Sequence, residues 1–576
     1  MFDIHSLSFS YRPQLIASLR GYSAKTFTSD LIAGFIVGIV ALPLAIAFAI
    51  ASGVGPEAGL FTAIIAGFCI SAFGGSTVQI GGPTGAFAVI VYGVVAQFGV
   101  AGLATATMMA GILLILLGAF KMGGLVKFIP YTIVTGFTAG IAVTIATGQI
   151  GDFLGLAITQ FPAGFTKMPG DFVGKLHTYA LNIGRINPYS FAMAAASLAV
   201  LFIWPRFNKR IPGSLIVIVL ATAASVILHV TLGLETDTIG SRYGAIPSSL
   251  PAPKLPDLRL STIRTLFPTA VSIAVLAAIE SLLSAVVADG MTGAKHDSNT
   301  ELIGQGIANI ASPLFGGIPA TGAIARTATN IKNGGKTPIA GIIHALTLLL
   351  ILLFLGRFAV YIPMAALAAV LINVAWNMAG FKAIRALVRG QKSDICVLTV
   401  TFLITVFIDL TVAIEVGLGF AAFFFIKKMC DLSEVQAKRE NLTNGIGHAT
   451  VAGDYEDDEP LDVPDGVMVY EVDGPLFFGT VRKFEVAVTQ ANLSYKVLVL
   501  RMRNTIYLDA GGIQALEQAK ASCDKKGVQI VLSGIHTQPY LLCDKMGMLD
   551  KIGRENVCAH IDDAMQRARE LLKKPA

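Results

Sequence analysis

Two stretches far apart in the chain share the same interruption of an otherwise apolar sequence. Phe73-Gly74-Gly75 is followed shortly by Gly82-Pro83-Thr84-Gly85-Ala86, and Phe315-Gly316-Gly317 runs on into Ile318-Pro319-Ala320-Thr321-Gly322-Ala323. Each follows a long apolar run and precedes an apolar stretch too short for a comfortable membrane helix. Glycine and proline at these places break a continuous helix, so each span has to start afresh part-way through. Interrupted spans at matching places in two halves are the mark of an internal repeat whose helix ends meet near the bilayer midplane.

That reading requires a chain that lives in lipid, and composition supplies it. The 576 residues are 54% hydrophobic and only 14% charged, with a mean hydropathy of +0.69, whereas soluble chains are about 25% charged. The runs Asp30–Ala51, Ala101–Ala119 and that around Leu346–Leu355 are long and essentially free of charge, as spanning segments are. Arg12, Arg20 and Lys25 precede the first run and no small-residue cleavage site follows, so no removable signal peptide is expected. The net charge of +6 fits basic cytoplasmic loops rather than nucleic-acid binding. Cys69, Cys396, Cys430, Cys523, Cys543 and Cys558 have no metal-ligand spacing, so neither a disulfide framework nor a zinc site is expected.

Fourteen segments emerge, at 30–50, 56–73, 83–97, 101–119, 127–149, 188–204, 211–233, 265–288, 300–314, 321–332, 338–356, 360–377, 394–410 and 411–426. The short pair is third in each half of seven, as an inverted repeat requires. With the N-terminus inside, the inner loops hold Lys121, Lys127, Arg206, Lys209, Arg210, Lys332, Lys336, Lys382, Arg385, Arg389 and Lys392. The positive-inside rule then puts both termini in the cytoplasm. Asp409 and Glu415 fall at the junction of the last two spans, at the interface. The domains expected are a cytoplasmic segment 1–28, a transmembrane transport domain 29–426, a linker 427–464 with acidic residues from Asp454 to Glu459, and a soluble domain 465–576. In the last, the apolar runs Val467–Val472, Lys496–Met502 and Val528–Leu532 alternate with helical patterns, predicting a small α/β domain.

The first turn of a helix leaves backbone N–H groups unpaired and carries partial positive charge. Two such starts facing each other would hold an anion. Pro83 suits a first helical position, Thr84 and Thr321 offer hydroxyls, and Gly85 and Gly322 let backbone approach a guest. The alternative is helix packing through small residues. Arg326 follows four residues after Gly322, on the same face of the second of these helices; a guanidinium inside a membrane faces a cavity or a partner and binds oxyanions in a forked geometry. Its alternatives are an ion pair with Glu280 or extension to the interface. Glu280 interrupts the apolar run Ala270–Ala288 and could load and release a proton, with Ser284 one turn on completing a cation or water site. Its alternative is a permanently neutral Glu. Phe48 and Phe87, near Pro43 and Pro83, could wall the pocket or simply pack.

At these residues the chain resembles the SulP (sulfate permease) family of anion transporters over nearly its whole length. The resemblance rests on Val40-Ala41-Leu42-Pro43, on Gly82-Pro83 with Phe87-Ala88-Val89-Ile90, on Arg326-Thr327 followed by Gly334-Gly335-Lys336-Thr337, and on a STAS-like C-terminal domain. Members resembling bacterial four-carbon dicarboxylate transporters are similar through Ile279-Glu280-Ser281-Leu282-Leu283, Asp289-Gly290-Met291-Thr292-Gly293 and Ala375-Trp376-Asn377-Met378. The resemblance implies a polytopic α-helical fold of seven plus seven inverted spans with core and gate domains, a dimer, and elevator-like movement. It implies an anion among Phe48, Phe87, Thr321–Ala323 and Arg326, and coupling at Glu280. Two departures stand out: Leu44 replaces a Gln found in many eukaryotic relatives, and Ala510, in Leu508-Asp509-Ala510-Gly511-Gly512, replaces the phosphorylated Ser of anti-sigma antagonists.

The expectation is a plasma-membrane secondary transporter of a small anion, a four-carbon dicarboxylate or sulfate, coupled to protons. No cofactor, metal or nucleic acid is expected, and no enzymatic activity. The alternatives are a sodium-coupled bicarbonate or sulfate symporter using Glu280 and Ser284, a nucleobase permease, and a membrane sensor without transport.

Overall fold

The computed structural model describes residues 11–124, 130–207, 212–408, 410–437, 449–451, 461–490 and 495–573. Lys127, Lys209, Arg210, Asp409 and the acidic stretch from Asp454 to Glu459 lie outside them. The chain forms two compact units, Met1–Gly419 and Phe420–Ala576.

The first unit is helical. Its main elements are α1 (Ala24–Ala51), α2 (Pro56–Phe73), β1 (Gly81–Gly82), α3 (Gly85–Ala119), α4 (Tyr131–Gly148), α5 (Pro188–Phe207), α6 (Gly213–Leu232), α7 (Leu260–Thr292), α8 (Ser298–Leu314), β2 (Thr321–Gly322), α9 (Ile324–Lys332), α10 (Pro338–Leu355), α11 (Met364–Met378), α12 (Phe381–Val388), α13 (Lys392–Phe407) and the start of α14 (Leu410–Leu432), which ends in the second unit. The fold is the polytopic membrane architecture of seven plus seven inverted spans. The third and fourth expected segments form the one run α3, broken at Gly99, whose φ of 70° and ψ of −179° take the chain out of helical geometry between two arms. A left-handed φ costs glycine little.

Helices α1, α2, α3, α7, α8, α9 and α10 pack on one another as a core bundle. A second group, α4, α5, α6, α11 and α13, packs together and meets the core where α11 touches α1 and α4 touches α3. The core is held at close range by glycines. A Cβ on Gly111 of α3 would lie 2.6 Å from the Gly306 carbonyl oxygen of α8, and one on Gly306 would lie 2.5 Å from that of Gly111. Small residues bring backbones this close where lipid offers no hydrophobic drive for association.

Helix α8 is less apolar than a membrane span should be, because it turns a polar stripe inward. Glu301, Gln305, Asn309 and Ser312 recur at helical spacing and are all fully buried. At the other end of the core, Asp30 in the first turns of α1 accepts hydrogen bonds from Lys336 N (2.7 Å), Thr337 N (3.2 Å) and Tyr22 Oη (3.0 Å), fixing the loop before α10.

The second unit is an α/β domain. Its sheet has β3 (Glu434–Ala437), β4 (Val467–Asp473), β5 (Val497–Arg501), β6 (Gln529–Ser533) and β7 (Val557–Cys558) in that order, parallel except for the β3–β4 pair. Burial of both faces over Val497–Leu500 of β5 and Ile530–Leu532 of β6 explains why these runs read as continuous hydrophobic stretches. After β5, Asp509 caps a helix at Ala510–Asp524, accepting from Gly512 N at 2.8 Å and from Phe478 N at 3.1 Å. Ala510 is the first residue of that helix and has no hydroxyl to phosphorylate.

The glycine contact yields a direct test. Gly111→Ala drives a methyl into backbone that cannot rotate away and should cost about 1–3 kcal/mol. The purified protein in detergent should melt several degrees lower. Gly290→Ala, whose Cβ meets nothing within 4 Å, should melt like the parent.

Candidate functional site

The two interrupted stretches meet. β1 and β2 pair antiparallel, Gly81 opposite Gly322 and Gly82 opposite Thr321. The pairing extends through Ala323 N, which donates to Ile80 O at 2.9 Å. Side chains take up the backbone groups that two residues of strand leave over. Ile80 N donates to Thr327 Oγ1 (3.0 Å), Asn330 Nδ2 to Val78 O (2.8 Å), and Asn309 brackets Ala320, accepting from its N–H at 2.9 Å and donating to its carbonyl at 2.8 Å. Glycine is needed here: a Cβ on Gly322 would sit 2.2 Å from Gln79 Nε2, and one on Gly82, where φ is 148°, would sit 2.4 Å from Arg326 Nη1.

Helices α3 and α9 start immediately beyond this crossing. Their N-cap residues are Thr84 and Ala323, and neither side chain caps its own helix. Among the described residues, the N-cap side chains thus leave the first-turn N–H groups of both helices without a capping acceptor. This corrects the sequence reading in three places. Pro83 precedes the N-cap rather than opening the helix. Thr321 and Gly322 are strand, so Gly322 does not share a helical face with Arg326. The Thr321 hydroxyl is buried and donates to Ala277 O of α7 at 2.9 Å, which ties it to the scaffold.

Arg326, in the first turn of α9, is 2% exposed. Its Nη2 donates to the carbonyl of Pro83, at 2.7 Å, just before α3 begins. The guanidinium thus bridges the two helix starts, and its Nη1 has no partner among the described residues. The expected alternative, an ion pair with Glu280, is not formed among them. Glu280 instead accepts from Thr84 Oγ1 at 2.9 Å, which links the carboxylate to the residue at the N-cap position of α3. Ser284 is buried one turn away, and its hydroxyl lies 3.4 Å from Thr327 Oγ1. No hydrogen bond joins Ser284 to Glu280 among the described residues.

Phe48 and Phe87 are both packed in the core, Phe87 completely. Phe48 borders Gly85, where a Cβ would lie 3.1 Å from its Cε1, 3.0 Å from Ile145 Cδ1 and 3.3 Å from Met378 Sδ. Ile145 is on α4 and Met378 on α11, so the second helix group closes on the start of α3. A cleft of about 490 Å3 opens one turn further along, lined in part by Val89, Ile90, Gly93, Thr144, Thr269 and Ser272. None of the candidate residues lines that cleft.

Sequence reasoning passed over Glu301. Its Oε2 accepts from Gly75 N (2.9 Å) and Ser76 N (3.2 Å); its Oε1 accepts from Gln79 Nε2 (2.8 Å), Ser281 Oγ (3.1 Å) and Gln305 Nε2 (2.8 Å). Five donors on one buried carboxylate fix the loop into β1 against α7 and α8. The spacing Glu301, Gln305, Asn309, Ser312 was the available signal. His344 was also passed over: it is fully buried on α10 beside Gly67, with neither ring nitrogen partnered among the described residues.

The chain is similar to known proteins over most of its length. Residues 27–401 match the sulfate permease family and residues 460–564 match the STAS domain. YvdB of Bacillus subtilis, provisionally named a sulfate transporter, is 41% identical, the match taking in 94% of this chain and 98% of that one. The bicarbonate transporter BicA of Picosynechococcus is 30% identical over 94% of this chain and 95% of its own length. The transmembrane domain of a cyanobacterial BicA, also 30% identical, superposes with a TM-score of 0.59 over 69% of this chain and 98% of that one. Murine Slc26a9 in its inward-facing state has the same fold at 21% identity, with a TM-score of 0.85 over 99% of this chain and 96% of its own. The chain thus belongs to the sulfate permease family: it is a multi-pass membrane protein for secondary transport of a small anion, and it carries a STAS domain.

Proposed function

We propose that the protein imports an inorganic oxyanion of the sulfate and bicarbonate class across the plasma membrane, with protons as the coupling ion. The observation that carries the reading is the buried Arg326, which spans two uncapped helix starts and keeps Nη1 unengaged. Fixed N–H dipoles and a guanidinium aimed at one point favour a compact, multiply charged oxyanion over an extended one. Phe48, Thr84, Gly85, Phe87, Gly322, Ala323 and Arg326 form the proposed anion site, with Thr321 holding its backbone. The names of the relatives, sulfate for YvdB and bicarbonate for BicA, support this substrate class. The four-carbon dicarboxylate expected from the motifs at 279–283, 289–293 and 375–378 has no counterpart among those names, and we drop it.

Glu280 is the proposed proton site. An ionised carboxylate bonded to Thr84 repels an anion arriving at the start of α3; a protonated one does not. Anion and proton then load together. The proton also offsets the membrane potential, which opposes anion entry by about 2.3 kcal/mol per charge per 100 mV. A sodium-coupled variant of the same site would use Glu280 and Ser284 as ligands. The separate hydrogen bonds of those two residues favour the proton. In this proposal both termini face the cytoplasm, the membrane is the plasma membrane, the STAS-like domain begins near 465 after a linker from 427, and two copies form a dimer. The core moves against the gate in an elevator-like cycle.

Proteoliposomes of the purified protein are the test. Labelled sulfate or bicarbonate should accumulate with an inward proton gradient, unaffected when choline replaces sodium, and succinate or fumarate should compete weakly. Sodium dependence would replace the coupling ion, and absence of any uptake would favour a sensor. Glu280→Gln should abolish accumulation driven by pH while leaving anion binding within about threefold, since it keeps shape and loses only the titratable charge. Arg326→Lys should raise the anion KM at least about tenfold, because a charge-assisted forked contact contributes about 1.5–3 kcal/mol. An unchanged KM would remove Arg326 from the site.

A further inference from the structure

Helix α12 is short, and it joins two spanning helices, α11 and α13, so it has to lie at the membrane surface. Its sequence repeats one pairing three times: Phe381-Lys382, Ile384-Arg385 and Val388-Arg389. At helical spacing this makes two adjacent rows, one apolar and one basic. Phe381 and Val388 are 53% and 52% exposed although the helix rests on α13 and α4. No acidic residue occurs from Trp376 to Lys392. Lys382, Arg385, Arg389 and Lys392 make no ion pair among the described residues. The six paired residues line one groove of about 450 Å3. Trp376, just before the helix, meets Phe381 in a tilted contact with ring centroids 4.8 Å apart and meets Phe202 of α5 edge-on at 5.9 Å. Clustered aromatic rings of this kind mark headgroup depth.

We propose that α12 is a docking site for anionic phospholipid. Its apolar row takes the upper acyl chain, and Lys382, Arg385 and Arg389 hold the phosphate. Charge complementarity selects the occupant: three unpaired cations beside an apolar row fit a molecule that is anionic at one end and hydrocarbon at the other. A zwitterionic lipid would leave those cations uncompensated, and a free phosphate would leave the apolar row bare.

The experiment titrates the full-length protein in detergent with dioctanoyl-phosphatidylglycerol, dioctanoyl-phosphatidylcholine and glycerol phosphate. Phosphatidylglycerol should bind tightest of the three. Lys382→Gln, Arg385→Gln and Arg389→Gln should each weaken it about fivefold, with the melting temperature of the lipid-free protein unchanged. Arg385→Lys combined with Arg389→Lys should keep the affinity within about twofold, since each cation acts as a charge at the headgroup. Equal binding of phosphatidylcholine, equal binding of glycerol phosphate, or unchanged affinity in all three glutamine variants would overturn the proposal.

Discussion

A backbone that leaves helical geometry inside a membrane has to find its hydrogen-bond partners within the protein, because hydrocarbon supplies none. Gly81–Gly82 and Thr321–Gly322 find theirs in each other, and the rest of the core is arranged around that exchange. Two paired residues cannot satisfy both chains. Asn309 therefore completes Ala320, Thr327 completes Ile80 and Asn330 completes Val78. Those side chains need α8 and α9 against the crossing, which places the polar stripe Glu301–Ser312 deep inside a membrane protein. The crossing also fixes where the two helices begin. Their uncapped first turns point toward common ground because the strands before them are antiparallel.

The same arrangement gives Arg326 its position. A guanidinium buried at this depth is costly unless it is hydrogen-bonded, and Pro83 O supplies one bond from the opposite half of the repeat. Pro83 lies before the N-cap Thr84, so its carbonyl accepts no bond from within α3 and is available to the guanidinium. Glu280 reaches the same helix start through Thr84. Cation and carboxylate thus address one terminus from two sides without pairing with each other. Direct pairing would neutralise both in a low-dielectric setting and leave neither free to respond to a guest.

Much of this was legible in the sequence, for identifiable reasons. Glycine and proline break helices by covalent geometry alone, so the two restarts could be located to within two or three residues. Arg326 and Glu280 were conspicuous because charge is rare in apolar runs. An odd count of seven segments per half, with the short pair third in each, gave the inverted arrangement, and the resemblance to the sulfate permease family implied the same. What escaped was tertiary. A strand of two residues has no periodicity to read, so Thr321 and Gly322 were assigned to a helix. Whether Thr84 turns its hydroxyl to a guest or to Glu280 depends on α7, which is distant in sequence. Glu301 was hidden because its donors come from the loop before β1, from α7 and from its own helix, and a lone Glu near a helix start reads as an ordinary first-turn acid. The dicarboxylate reading failed because the matched motifs at 279–283, 289–293 and 375–378 describe a family scaffold, and substrate choice lies in the site.

The distribution of polar contacts bears on how such a site could move. Hydrogen bonds among α1, α2, α7, α8, α9, α10 and the β1–β2 crossing are numerous and buried, so the core can be displaced only as one piece. Where the second helix group meets the start of α3, the neighbours of Gly85 are Ile145 and Met378. Apolar side chains slide past one another at small cost, since each displaced contact is replaced by an equivalent one and no directional bond is broken. A polar hub inside a body, faced by an apolar surface at its boundary, separates what must hold its geometry from what must let go. An anion held by backbone termini within the core would travel with them, and the helices of the second group would need only to change which of their residues stand opposite.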